Sequence, residues 1–320
     1  FMAVLGAASV GLPRLAHAQR RRRLGYLSGG KIGPSAANSI AVLRSRLAEL
    51  GWRDGDTIEI IERWSDGDFA ILPRLARELV AAGVEVLVAT GTTETRALQD
   101  ATKTVPIVFM QMAVDPVTSG FVQRIAQPGG NITGFMQGPQ FLWSKRLELL
   151  AELIGRSPRH LAWLGNPGNA GSEPNWRDAQ DATRRTGASI ARIDVATPQE
   201  IEGAFTRLEG IEALLVQYDF LLSAESERVA DLAAASRLPA IYENRTQALT
   251  GGLISYGGDL RENYRQGADY VHRILNGADP ARLPVVQASR FELVVNAKTA
   301  AAMGIAPPAS LLARADEVIE

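Results

Sequence analysis

The chain has 320 residues, 46% hydrophobic and 22% charged, with a formal net charge of −1. That length allows two lobes with separate cores, and the charge balance gives no electrostatic footprint for nucleic acid. No cysteine is present, which removes thiol catalysis, thiolate metal sites, disulfides and a lipidated cysteine anchor.

In chain order, FMAVLGAASVGL opens as an apolar run, and Ala16-His17-Ala18 is a small-x-small cleavage signal. Residues 1–18 resemble a secretory signal peptide, so the expected mature protein is soluble, periplasmic and without a lipid anchor. The arginines at 20–23 are an oddity just after such a cut, because positive charge there hinders export. No later stretch approaches the ~20 apolar residues of a membrane span.

From residue 24 the pattern is strand, loop, helix, repeated. LGYL at 24–27 is a short apolar strand, and Ser28-Gly29-Gly30 a loop. Residues 38–50 read as an amphipathic helix, with Ile40, Leu43, Leu47 and Leu50 at helical spacing and Gly51 as its stop. A strand at 57–63, a helix at 72–82 and a strand at 84–89 follow, then VPIVFM at 105–110, a strand with proline at its entry. GGNITGF at 129–135 breaks the rhythm before a helix over 140–154. Strands at 160–164, 189–193, 212–216 and 240–242 then alternate with helices at 173–186, 198–208 and 223–235. This alternation predicts βαβ units and parallel sheets.

The second run copies the first. RRLGYLSGG at 22–30 matches RHLAWLGNPG at 159–168, VEVLVATGT at 84–92 matches IEALLVQYD at 211–219, and VPIVF at 105–109 matches LPAIY at 238–242. A period this long is a domain duplication rather than a solenoid. Beyond it, GGLISYGG at 251–258 precedes a helix at 260–275, and RFELVVN at 290–296 a helical 298–303. The expected fold class is therefore α/β: two similar Rossmann-like lobes with parallel sheets, joined by a three-crossing hinge. The first lobe takes residues 24–132 plus 257–288, the second 133–256 plus 289–320, with crossings at 129–135, 254–256 and 290–295. Such a chain is a hinged clamp, with ligand at the carboxyl ends of its strands.

EVLVATGTTETRALQD at 85–100 carries the strongest site signal: a buried strand, the corner Thr90-Gly91-Thr92-Thr93, then a helix. Free N–H groups and the helix dipole favour an anion there. Either the corner holds a ligand carboxylate, each charge-assisted bond contributing ~1.5–3 kcal/mol, or a threonine is a plain N-cap contributing ~1 kcal/mol. Other first-lobe strand ends offer Ser28, Gly29 and Asp115, where Asp115-Pro116 is either a contact or a turn former. The second lobe offers Asn166, Tyr218, Asp219 and Glu243. Asp219 and Glu243 are the candidates for a ligand ammonium, and Tyr218 for stacking or hydrogen bonding. Tyr256 shapes either the pocket or the hinge. Trp64 and Trp143 are candidates to line the cleft, whereas Trp163 lies inside a strand as core. His17, His160 and His272 are isolated from any metal-spaced partner.

Several segments together resemble ABC-transporter substrate-binding proteins of the type I periplasmic-binding-protein fold. They are LAELGWRDGDTIEI, VPIVFMQMAVDPV, PGGNITGF, KRLELLAEL, SYGGDL, FELVVNAKTAAAMG and PPASLLARADEVI, and the resemblance runs over residues 24–320. It implies an exported, monomeric receptor, without cofactor, that delivers a small solute to a membrane permease with its ATPase. Some members bind aromatic amino acids, so the solute expected here is a small carboxylate-bearing one, amino acid-like or aromatic. Departures at Val216-Gln217-Tyr218-Asp219 and Tyr242-Glu243-Asn244-Arg245 fall at cleft positions, so the ligand's identity does not carry over. A sensor presenting solute to a membrane receptor is the alternative use of the same clamp. No Gly-x-Ser-x-Gly elbow, His-Glu-x-x-His or phosphate loop occurs, and a racemase's paired cysteines are missing. Catalysis by lone carboxylates is the remaining enzyme reading.

Overall fold

The computed structural model describes residues 21–31, 34–137, 142–288 and 290–320; the segment at 1–18, expected as a signal peptide, lies outside them. The first half runs β1 (Arg22–Ser28), α1 (Pro34–Glu49), β2 (Ile58–Trp64), α2 (Leu72–Ala81), β3 (Val86–Ala89), α3 (Thr92–Ala101), β4 (Ile107–Met112) and β5 (Ile132–Met136). The second half repeats the plan with α4 (Trp143–Ile154), β6 (His160–Gly165), α5 (Ser172–Thr186), β7 (Ser189–Asp194), α6 (Glu200–Phe205) and β8 (Ala213–Val216). It continues with α7 (Phe220–Ala224), α8 (Ser226–Ala235), β9 (Ala240–Tyr242), α9 (Arg245–Leu249) and β10 (Ile254–Gly258). The chain closes through α10 (Leu260–Leu275), β11 (Val286–Gln287), β12 (Phe291–Asn296), α11 (Ala297–Ala302), α12 (Ala309–Leu312) and β13 (Glu317–Ile319).

Two sheets result, ordered β11-β5-β4-β3-β1-β2 and β13-β12-β10-β9-β8-β6-β7. The shared order makes the duplication visible, β1 to β5 standing to the first sheet as β6 to β10 stand to the second. All pairings are parallel except β10 with β12. Strands covered on both faces read as continuous apolar runs, and β3 shows why. Leu87 and Ala89 pack with α2 residues Leu72, Leu75 and Leu79 on one face, and Val86 and Val88 with Leu43 and Leu47 of α1 on the other. The second sheet is covered the same way on both faces.

Each half of the chain leaves its sheet where a strand stops. The segments expected as crossings are themselves strands: β5 pairs with β4, so the first sheet runs to Met136 rather than stopping at residue 132. The chain crosses between β5 and α4, between β10 and α10, and between β11 and β12. Helix α10 packs back on α1 and β4 of the first sheet. Short polar caps make the strand-to-helix turns abrupt. Asp219, Asn244, Asp259 and Asn296 each accept from a backbone N–H at the start of the following helix, satisfying donors the helix itself leaves unpaired.

Candidate functional site

The C-terminal ends of β3 and β4 face those of β6, β8 and β9, and a cavity lies between them. Phe69, the Thr90–Glu94 corner and Gln111 line it from the first sheet's side. Asn169, Asn175, Gln217, Tyr218, Asp219, Phe220 and Glu243 line it from the second. Counted out into its open mouth, the space between these walls is about 460 Å³. A wider groove adjoins it, sharing Ala113, Gln137, Asn175 and Glu243 and adding Asp115 and Arg146.

The two sides touch, so the clamp is shut. Thr93 Oγ1 accepts from the Ala170 N–H at 3.2 Å. A Cβ on Gly30 would meet the Phe220 ring at 2.9 Å, and one on Gly171 would meet Ala113 Cβ at 3.0 Å. Glycine at these positions is what permits so close an approach.

The threonine corner differs from expectation. Gly91 is the N-cap of α3 and no side chain caps the helix. Thr92 Oγ1 instead accepts from the Ala113 N–H at 3.2 Å, tying α3 to the end of β4. The anion at this helix start is the chain's own Glu94, whose Oε1 accepts from the Gly29 N–H at 2.7 Å and which also takes its own N–H. Glu94 is 1% exposed. Burial pushes its pKa from 4.5 to about 7; the two N–H groups oppose the rise and the Asp219 charge adds to it.

On the opposite wall Asp219 caps α7 through the Leu221 N–H at 2.8 Å. It also accepts from Asn166 Nδ2 at 3.0 Å and Asn169 Nδ2 at 2.9 Å. Burial raises its pKa, against those two amides. Glu243 accepts from Asn175 Nδ2 at 2.6 Å, and Arg146 Nη2 lies 3.8 Å away with both side chains 5% exposed. Asn175 Oδ1 in turn accepts from the indoles of Trp143 and Trp163, which aims its amide at Glu243.

Thus Gly91, Thr92, Thr93, Tyr218, Asp219 and Glu243 line one cavity, with Gly29 and Asn166 bonded to its carboxylates. Three candidates lie elsewhere. Ser28 turns back to accept from the Gly30 N–H, and Asp115 accepts from the Val117 and Thr118 N–H groups beside the adjoining groove. Tyr256 stacks on Phe291 at 5.8 Å. Trp143 and Trp163 are fully buried in the second core, and Trp64 packs on Tyr26. His160 meets Ser189 and His272 meets Trp52, and among the described residues no acidic or histidine group could hold a metal. Glu94, Gln111, Asn175 and Phe220 had no sequence signal as a site. Phe220 reaches Gly30 only when the two lobes meet, whereas Glu94, Gln111 and Asn175 are held by bonds within their own lobes.

Two lobes of one plan, shut over a cavity at their strand ends, define a ligand-binding clamp of the type I periplasmic-binding-protein fold. The family model for ABC transporter substrate binding proteins matches residues 33–319, and the chain belongs to that family, one of binding receptors rather than enzymes. It is 24% identical over 258 residues to the tyrosine-binding protein of Clostridioides difficile (strain R20291), across 80% of this chain and 74% of that one. Among solved structures, a conserved domain protein from Vibrio cholerae superposes with TM-score 0.87 at 26% identity, over 93% of this chain and all of that one. An ABC domain in complex with L-Trp from Streptococcus pneumonia gives TM-score 0.86 at 25% identity, with the same coverage. Among the described residues no helix is long and apolar enough to cross a membrane.

Proposed function

We propose that this chain is an exported solute receptor of an importer. Its two lobes close on a small amine-bearing solute of amino acid-like or aromatic character, and the closed form hands it to a membrane permease driven by an ATPase. The observation that carries this reading is the shut cavity lined from both sheets, with Phe69, Tyr218 and Phe220 beside buried carboxylates. An aromatic body lies well against those rings, and an ammonium group pairs with a carboxylate. The relatives named for tyrosine and crystallised with L-Trp support the same class. A solute that bridges the lobes favours the shut form by its extra contacts there, and only such a difference in affinity moves the equilibrium.

A thermal-shift screen of the chain from residue 19 onward, against amino acids, aromatic amines, aromatic acids and sugars, tests this. A bound solute at 100 times its Kd adds about 2.7 kcal/mol, so nitrogenous aromatic solutes are expected to raise Tm. A response confined to neutral sugars contradicts the reading.

A further inference from the structure

Within the amine-bearing class just proposed, an amino acid and the corresponding amine differ at one group, the carboxylate. The cavity walls show which of the two they are built for. Their anion-binding corner is already filled: the Glu94 carboxyl holds the Gly29 N–H at 2.7 Å and its own N–H at the start of α3. Three amides of the opposite wall are turned to the wall's own acids, Asn166 and Asn169 to Asp219 and Asn175 to Glu243. Among the described residues lining the cavity there are three carboxylates and no lysine, arginine or histidine. Arg146, behind Glu243, answers one of the three. A further, independent sign is Gln111, 5% exposed and lining the cavity. Its Nε2 donates to the Tyr264 hydroxyl at 3.1 Å, while its Oε1 has no hydrogen-bond partner. The charged groups lining the cavity are therefore all acids, and the partnerless neutral groups beside them include the Thr90 hydroxyl as well as Gln111 Oε1.

We infer that the solute is a small organic cation without a carboxylate, an aromatic amine whose ammonium group lies between Glu94 of the first lobe and Asp219 of the second. Two buried anions with no cation oppose closure, and an ammonium between them turns that opposition into the closing contact. It also brings the N–H that Gln111 Oε1 lacks. A carboxylate on the same solute meets Glu94 at the start of α3, and Asp219 holds the start of α7, so like charges repel it at both.

Calorimetric titration of the wild type with tyramine and L-tyrosine, and with tryptamine and L-tryptophan, decides it. Each amine is expected to bind at least tenfold tighter than its amino acid. Glu94→Ala, which clears the start of α3, is expected to reverse that order. Glu94→Gln, which keeps the shape and removes the charge, is expected to weaken the amine at least tenfold and to serve should the alanine variant fail to fold. An amino acid that binds the wild type as tightly as its amine overturns the inference and leaves the proposed function standing. Loss of both ligands to the same degree in either folded variant overturns it too. If neither amine nor amino acid binds the wild type while a sugar does, the proposed function falls with it.

Discussion

Replacing Arg146 by methionine is expected to lower stability by about 3–5 kcal/mol, the usual cost of leaving one partner of a buried ion pair behind. Arg146 comes from α4 and Glu243 follows β9, and both side chains are 5% exposed. The guanidinium is held by more than charge: its Nε donates to the Tyr256 carbonyl at 2.8 Å and its plane lies over the Trp143 ring. Without it Glu243 keeps the Asn175 amide and the Tyr218 N–H, both uncharged donors. Burial already raises the Glu243 pKa against the Arg146 charge, so the orphaned carboxyl takes a proton more readily and the loss is smaller at pH 5 than at pH 8. Urea unfolding at both values measures this. Adding Glu243→Gln to the methionine variant is expected to recover most of the loss, because a neutral amide needs no counter-charge. A single variant as stable as the wild type at pH 8 would remove the pair from the account of the second lobe.

The second large effect is a pH dependence set by Glu94. Its carboxyl titrates near 7 in the shut form against 4.5 ordinarily, a displacement worth about 3 kcal/mol. The sign follows from proton binding: the shut form holds the proton more tightly. Its contribution is complete below pH 4.5 and is lost as pH rises through 7. The groups facing Glu94 do not offset this, since Asp219 lies across the cavity and Tyr218 and Tyr264 lie near it, all acids. Thermal melting without solute is therefore expected to fall between pH 5 and pH 8, and Glu94→Gln is expected to flatten that fall. The variant melts close to the wild type at pH 5 and above it at pH 8. A wild type and variant that fall in parallel would show that Glu94 does not control the shut form.

The sheets were readable because parallel strands covered on both faces must be apolar throughout. VLVA in β3 and ALLV in β8 leave no other reading, and their matched spacing exposed the duplication. Shorter strands escaped, β11 with two residues and β13 with three, whereas β9, also of three, was found through its match to β4. The helix expected at 223–235 is two helices, because Asp219 caps a turn that begins at Phe220. That shift brings the Phe220 ring against Gly30. The site was legible where loops end strands, as at Thr92, Tyr218, Asp219 and Glu243. It was not legible on helices. Glu94 occupies an ordinary acidic first-turn position, and Arg146 and Asn175 look like solvated helix polars until the other lobe or neighbouring helices bury them. Nothing local marks a polar side chain as buried, since burial depends on what packs over it.

Solute is expected to draw the lobes together, and because the chain has no cysteine, spin labels can be placed at will. Thr118 and Arg177 are exposed on opposite rims of the groove that adjoins the cavity. Pulsed electron-paramagnetic-resonance distances between labels on Thr118→Cys and Arg177→Cys would be recorded alone and with saturating tyramine, tryptamine, L-tyrosine or L-tryptophan. With the solute that binds, a single shorter and narrower distance is expected in place of a longer, broader one. The same distribution with and without each solute, including any that calorimetry shows to bind, would contradict closure as the way this protein holds its ligand.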